Sequence, residues 1–260
     1  MDMKDAALRL HAENRGKWAT VSKVPLATQD DLSLAYSPGV AEPCRAIAAD
    51  REAVFRYTAR GNLVAVVSDG SAVLGLGDIG PEAALPVMEG KALLFKAFAD
   101  IDAVPLVLAE RDVDELVRTV ARLAPTFGGI NLEDIAAPRC FAVERQLQAA
   151  VDIPVFHDDQ YGTAIVVAAG LQNALKVVGK RLEDVRVVVE GAGAGGLATA
   201  ALLLDLGVTD LTLVDSRGTL YPERQEGMNP FKAELARRTN PRRVRGGLAE
   251  ALAGADVAIG

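Results

Sequence analysis

The stretch VRVVVEGAGAGGLATAALLLDLGVTDLTLVD, residues 185–215, decides the fold. A β-branched run, Val185 to Glu190, leads straight into Gly191-Ala192-Gly193-Ala194-Gly195-Gly196. A helical run, Ala194 to Leu206, and a second strand-like run, Leu211 to Val214, follow. This is GxGxxG in the setting a dinucleotide fold requires, directly after a strand and at the start of a helix. Glycine lets the backbone approach a pyrophosphate, and the helix N-terminus offers free N–H donors and the positive end of its dipole. Asp215 closes the next strand about 24 residues on, where a carboxylate can accept a ribose 2′-hydroxyl. Alone, GxGxxG marks a tight turn as readily as a nucleotide site. With strand, helix, strand and acid around it, the motif points to NAD or NADP held by Gly191, Gly193, Ala194, Gly196 and Asp215. Arg217, two residues further on, is placed to accept a 2′-phosphate, so the preference for NAD is slight.

Upstream, the same alternation recurs. Asn62 to Ser68 reads as a buried strand ending at Asp69-Gly70, Val87 to Ala99 as a helix, Val104 to Leu108 as a strand and Val113 to Leu123 as a helix. Two short apolar pieces, Phe127 to Ile135 and Ile153 to Phe156, each end in acids, and a helix over Thr163 to Val178 leads into the glycine-loop region. The βαβ rhythm implies α/β folding on parallel sheets. The expected organisation is an N-terminal α/β domain, residues 1–161, and a partial Rossmann-type dinucleotide-binding domain, 162–260. A full dinucleotide fold has two βαβαβ halves, and only the adenosine half is accounted for, closing with a strand at Asp256 to Ile259. Ahead of these lie a short helix over Lys4 to Asn14 and an extended stretch, Val24 to Tyr36, closed by Ser37-Pro38-Gly39 as a type II turn.

The 260 residues are half hydrophobic, which excludes a disordered chain. A net charge of -7 argues against a nucleic-acid surface. The only two cysteines, Cys44 and Cys140, form no CxxC pattern and read as buried free thiols. Charges interrupt the first residues, so no signal peptide is indicated, and no stretch reads as a membrane span. A cytoplasmic location is the expectation.

Adjacent acids are common in this chain, so pairing alone selects nothing. Asp114-Glu115 fits a helix first turn and Glu183-Asp184 a polar loop. Glu133-Asp134 and Asp158-Asp159 differ because each follows a strand, and ligands in α/β sheets sit beyond strand carboxyl ends. They are either solvated turns or carboxylates converging on a hard cation such as Mg²⁺ or Mn²⁺. His157 reads as a hydrogen-bonded structural residue. Lys91 shares a helix face with Leu94, Phe95 and Phe98, either as a desolvated base or as a snorkelling surface lysine, while Lys96 lies off that stripe. Tyr36 either packs or relays a proton.

At this point the chain resembles the malic enzyme family, specifically its short bacterial form. The matching segments are TQDDLSLAYSPGVAEP (28–43), GNLVAVVSDGSAVLGLGDIGP (61–81), VMEGKALLFKAFADID (87–102), PTFGGINLEDIAAP (125–138), IPVFHDDQYGTA (153–164), the glycine loop, and Gly227-Met228-Asn229-Pro230. The resemblance implies oxidative decarboxylation of L-malate to pyruvate and CO₂ with reduction of NAD or NADP. It implies Tyr36 as catalytic acid, Lys91 as base with Asp158 as its partner, Glu133, Asp134 and Asp159 as ligands of Mg²⁺ or Mn²⁺, and a homodimer. Three positions depart from the family pattern: Tyr161 stands for the usual His, Glu190 for a small residue, and Ser71-Ala72 where larger relatives carry a substrate arginine. Two alternatives stay open: a malolactic-type reaction without net oxidation, and an inactive fragment acting as a dimerisation partner.

Overall fold

The computed structural model describes residues 2–260, which cluster into two compact units. Of the described residues, the first holds 2–134 and 146–155, the second 135–145 and 156–260.

The first unit begins with α1 (Met3–Asn14), α2 (Gln29–Ala35), α3 (Ala41–Ala49) and the short α4 (Val54–Tyr57). Helix α2 lies inside the stretch expected to be extended. Its start is fixed by Thr28 and Asp31: the Thr28 hydroxyl accepts from Asp31 N–H, and the Asp31 carboxylate accepts from Thr28 N–H. That reciprocal cap satisfies orphan donors and outweighs the weak strand-like alternation of Leu32 and Leu34. Nor is Ser37-Pro38-Gly39 a type II turn, because Gly39 lacks the positive φ that turn needs and the Ser37–Pro38 peptide is cis.

Strand β1 (Leu63–Ser68), α5 (Pro81–Ala99), β2 (Asp102–Val107), α6 (Val113–Leu123), β3 (Gly129–Leu132), α7 (Arg139–Ala150) and β4 (Val155–His157) follow. The sheet order is β2-β1-β3-β4, with β1 parallel to both β2 and β3. Strand β1 is central, which is why Val66 and Val67 are wholly buried in an uninterrupted apolar run. Helix α5 covers it through Met88 and Ala92, packed with Val66, Ala103 and the partly buried Phe95. The buried stripe therefore runs Ala84, Met88, Ala92. Phe98, expected on the inner face beside Lys91, is 84% exposed. An apolar-rich helix offers several candidate faces, and only packing selects one.

The second unit contains α8 (Thr163–Val178), β5 (Arg186–Glu190), α9 (Ala194–Asp205), β6 (Asp210–Asp215), β7 (Gly218–Thr219), α10 (Pro230–Ala236), α11 (Leu248–Leu252) and β8 (Val257–Ile259). Its sheet order is β7-β6-β5-β8, parallel except for the β6–β7 ribbon. Val188, Val214 and Ala251 form a core cluster beneath α11. One stretch, Asp158–Val178, has the length and mean hydropathy, 1.2 over its best window, of a membrane span by composition alone, although Asp158, Asp159 and Lys176 lie within it. Ala164, Ala168, Leu171 and Leu175 are buried along α8, which packs against α9, while Val166 and Val177 on its other side are exposed, and the stretch opens on two carboxylates.

Candidate functional site

Within the first unit, the loops after β1, β2 and β3 leave the same end of the sheet because the strands are parallel. Glu133 continues β3: its N–H donates to Val67 O at 2.9 Å, which ties it to the end of β1. Its carboxylate is buried, accepts from Asn131 Nδ2 at 3.0 Å, and lies 3.2 Å from Lys91 Nζ. Asp134 is buried beside it with φ of 55°, a left-handed conformation that Asp tolerates better than most residues. The Asp134 carbonyl accepts from Ala72 N–H at 3.0 Å, joining β3 to the loop after β1. That loop closes on Gly70, whose carbonyl accepts from Ile79 and Gly80 N–H. Gly70 has φ of +66°, and a Cβ there would lie 2.1 Å from Gly80 O, so only glycine fits.

Lys91 thus stands on the half-buried side of α5 with its ammonium against a buried carboxylate, its side chain 21% exposed. Lys96, 56% exposed, instead pairs with Asp100 and Asp102 at the helix end. Tyr36 caps the C-terminus of α2 and is 68% exposed.

In the second unit, β4 runs into a π-helical turn, Asp158–Gly162, that carries Asp158 and Asp159. A π turn is uncommon and spreads its backbone wider than an α-helix. Glu144, on the part of α7 that belongs to this unit, is 3% exposed and accepts from Gln160 Nε2 at 3.1 Å. Burial pushes the Glu144 carboxyl up to about 7, against hydrogen bonds from Gln160, the His157 backbone and the Tyr161 phenol. Tyr161 is raised in turn, by burial and by Glu144. His157 is buried and its ring nitrogens make no hydrogen bond among the described residues. The expected structural role fits, but the expected hydrogen bonds are absent. Burial lowers its pKa against the pull of Asp159 and Asp158, which favours the neutral ring.

The glycine loop has the shape its sequence implies. Gly191 has φ of +101° and its N–H donates to Val214 O at 2.8 Å. Gly193 caps α9, which starts at Ala194. A Cβ at Gly196 would lie 1.9 Å from Gly191 O, whereas one at Gly193 would meet no atom within 4 Å. Asp215 ends β6 with a nearly buried side chain. Arg224 Nη2 donates to both of its oxygens, at 2.7 and 2.9 Å, and Lys232 Nζ to one at 2.6 Å. Burial raises the Asp215 carboxyl, but Lys232, Arg224 and the Arg217 backbone N–H outweigh it and leave the pKa lowered.

Residues 15–111 and 108–148 match the family described as "Malic enzyme, N-terminal domain", and 160–253 match "Malic enzyme, NAD binding domain". The chain belongs to the malic enzyme family. It is 56% identical over 260 residues to the bifunctional malic/malolactic enzyme of Bacillus subtilis, covering all of this chain and 63% of that protein. Over 245 residues it is 55% identical to the NAD-dependent malic enzyme of Geobacillus stearothermophilus, covering 94% of this chain and 51% of that one. Among solved structures, the NAD-dependent malic enzyme of Thermotoga maritima superposes with a TM-score of 0.94 at 53% identity, covering 98% of this chain and 68% of the other. The chain therefore spans between about half and two thirds of the length of these relatives.

Membership of the malic enzyme family accounts for the two parallel sheets and for a nucleotide-binding second region. Sequence reasoning missed Arg224, Lys232, Glu144 and Gln160. The signal for the first two was present: the cations fall 9 and 17 residues after Asp215. Nothing in the periodicity of α7 distinguishes Glu144 from a solvated acid. Cys140 is buried, with its thiol pushed up to about 12 by burial, but Cys44 is exposed, contrary to expectation. Short α3 buries none of its residues.

Proposed function

We propose that this chain is the metal-binding and dinucleotide-binding portion of an enzyme that converts L-malate to pyruvate and CO₂ while reducing NAD or NADP. The observation that carries the reading is the Lys91–Glu133 contact at 3.2 Å beside buried Asp134, which sets an amine against carboxylates at the strand ends. Membership of the malic enzyme family, with the chain's match to an NAD-binding domain, supports it.

Buried carboxylates suit a hard divalent cation, because anionic oxygens in low dielectric gain most from a compact charge. Glu133, Asp134 and Asp159 would hold Mg²⁺ or Mn²⁺, with the domain division taken between residues 161 and 162. When bound, the nicotinamide would supply a hydride acceptor and the cation a Lewis acid for the electron pair released with CO₂. Lys91 Nζ takes the proton of the C2 hydroxyl, with Asp158 as its partner. Tyr36 gives a proton to C3. Gly191, Gly193, Ala194 and Gly196 receive the pyrophosphate, and Asp215 orients the ribose. The exposed apolar face of α8, with Val166 and Val177, supports a homodimer, and a cytoplasmic location fits the chemistry.

The test is NADH or NADPH formation from L-malate with Mn²⁺, with Asp134→Asn as comparison. The substitution should weaken Mn²⁺ binding and turnover together, and unchanged Mn²⁺ affinity would sink the ligand assignment. The name of the Bacillus subtilis relative favours a second reading, a malolactic reaction. Lactate formed without net NADH would select it.

A further inference from the structure

We propose that Glu144 is a positioning residue that locks the turn bearing Asp158 and Asp159 into its cation-binding conformation. The inference rests on the cation reading above.

The carboxylate of Glu144 is almost wholly buried on α7 and points at a single turn. It accepts from Gln160 Nε2 at 3.1 Å, from the Tyr161 phenol and from the His157 backbone N–H. Those three donors bracket Asp158 and Asp159 on both sides. The segment is a single π turn, an uncommon conformation in which the Thr163 N–H donates to the Asp158 carbonyl. A side chain that gathers donors from residues 157, 160 and 161 adds a constraint from outside the turn.

A second, independent observation shows how tightly the turn is set. Gly162 ends it, and a Cβ there would lie 2.4 Å from Asp158 Oδ1. The Asp158 carboxylate therefore occupies space that any other residue at 162 would fill. Clamped from one side by Glu144 and packed from the other against Gly162, the turn can present its acids in few ways. Burying a carboxyl is costly unless its hydrogen bonds are satisfied, and here donors come from the segment that carries Asp158 and Asp159. The departure at position 161 is explained on the same terms: a tyrosine hydroxyl reaches Glu144 where the family's usual His would offer a ring N–H.

Residues that hold ligands in place characteristically alter metal affinity about 10–100-fold when removed. The test measures Mn²⁺ binding by calorimetry and by the electron paramagnetic resonance of free Mn²⁺, in the parent chain, Glu144→Ala, Glu144→Gln and Asp134→Asn, with metal-free melting curves for each. Glu144→Ala should weaken Mn²⁺ affinity about 10–100-fold. Glu144→Gln, which keeps the side-chain shape but only one acceptor oxygen, should weaken it less than Glu144→Ala but still several-fold below the parent, and carries the test if the alanine variant does not fold. A melting temperature that falls while Mn²⁺ affinity stays at the parent value in either variant would overturn the inference, because Glu144 would then be merely structural. Mn²⁺ binding lost in Asp134→Asn but intact in both Glu144 variants refutes this inference alone. A parent chain that binds no Mn²⁺ refutes the cation reading and this inference with it.

Discussion

Two glycines of one loop should fail in opposite ways. At Gly196 a new Cβ would lie 1.9 Å from the Gly191 carbonyl oxygen, more than 1 Å inside any tolerable contact, and the obstacle is backbone. Relief requires the strand end and the helix start to separate, and overpacking of this kind costs about 1–3 kcal/mol or more. With about 2–4 °C lost per kcal/mol for a chain of this size, Gly196→Ala should melt on the order of 10 °C lower. At Gly193 a Cβ would meet nothing within 4 Å and the backbone has an ordinary negative φ. Gly193→Ala should therefore cost no more than the loss of a favourable cap, under about 1 kcal/mol. The empty space beside Gly193 is where a pyrophosphate would approach the helix N-terminus, so this variant should lose NAD affinity at least about tenfold while remaining folded. Urea unfolding and calorimetric NAD titration read the two effects separately. Gly193→Ala with parental NAD affinity, or with a destabilisation equal to that of Gly196→Ala, would refute the assignment of roles within the loop.

Arg224→Met should cost about 3 kcal/mol, because removing one member of a buried pair costs about 3–5 and Lys232 still faces Asp215. Asp215 has a lowered folded pKa, so its contribution is present above the ordinary carboxylate value of 3.8 and is lost as pH falls through the folded value. Acid titration of stability should accordingly be shallower in Arg224→Met, and identical slopes would count against the clamp. Met88→Ala should cost about 2–5 kcal/mol in urea unfolding, since Met88 is wholly buried between α5 and β1. An aromatic disulfide reagent should label one thiol rapidly, the exposed Cys44, and reach Cys140 only on unfolding. Two rapidly reacting thiols would refute the burial of Cys140.

What could be read from the residues follows the range of the physics involved. Strands β1 to β6 and β8 and helices α5, α6, α8 and α9 were legible, because β-branched runs and glycine punctuation are local signals, whereas α7, β7, α10 and α11 were not. Thr163–Val178 and Val113–Leu123 begin and end where their patterns do. Helix α2 was not legible from alternation, although Thr28 and Asp31 carried its cap in plain view. The inner face of α5 was misread because Leu94, Phe95 and Phe98 are apolar and adjacent to Lys91, and nothing local says that the sheet meets Ala84, Met88 and Ala92 instead. Lys91 nevertheless lies where its contrast with Lys96 suggested, since the face that meets the sheet passes close to it.

The unread parts of the site share one cause: each is a charge satisfied from far away in sequence or across a packing layer. Asp215 looked like a free carboxylate at a strand end, yet its oxygens accept from Arg224 and Lys232. A nucleotide ribose arriving there would meet an acid already neutralised, so the nearby cations would weigh as much as the acid in setting which dinucleotide is preferred. Glu144 is the complementary case, an acid with no signal in the sequence that is buried and accepts from Gln160. Strand ends fix where carboxylates stand, but the partners that decide how those carboxylates behave are chosen by tertiary packing. Sequence patterns therefore locate such sites more readily than they reveal their electrostatics.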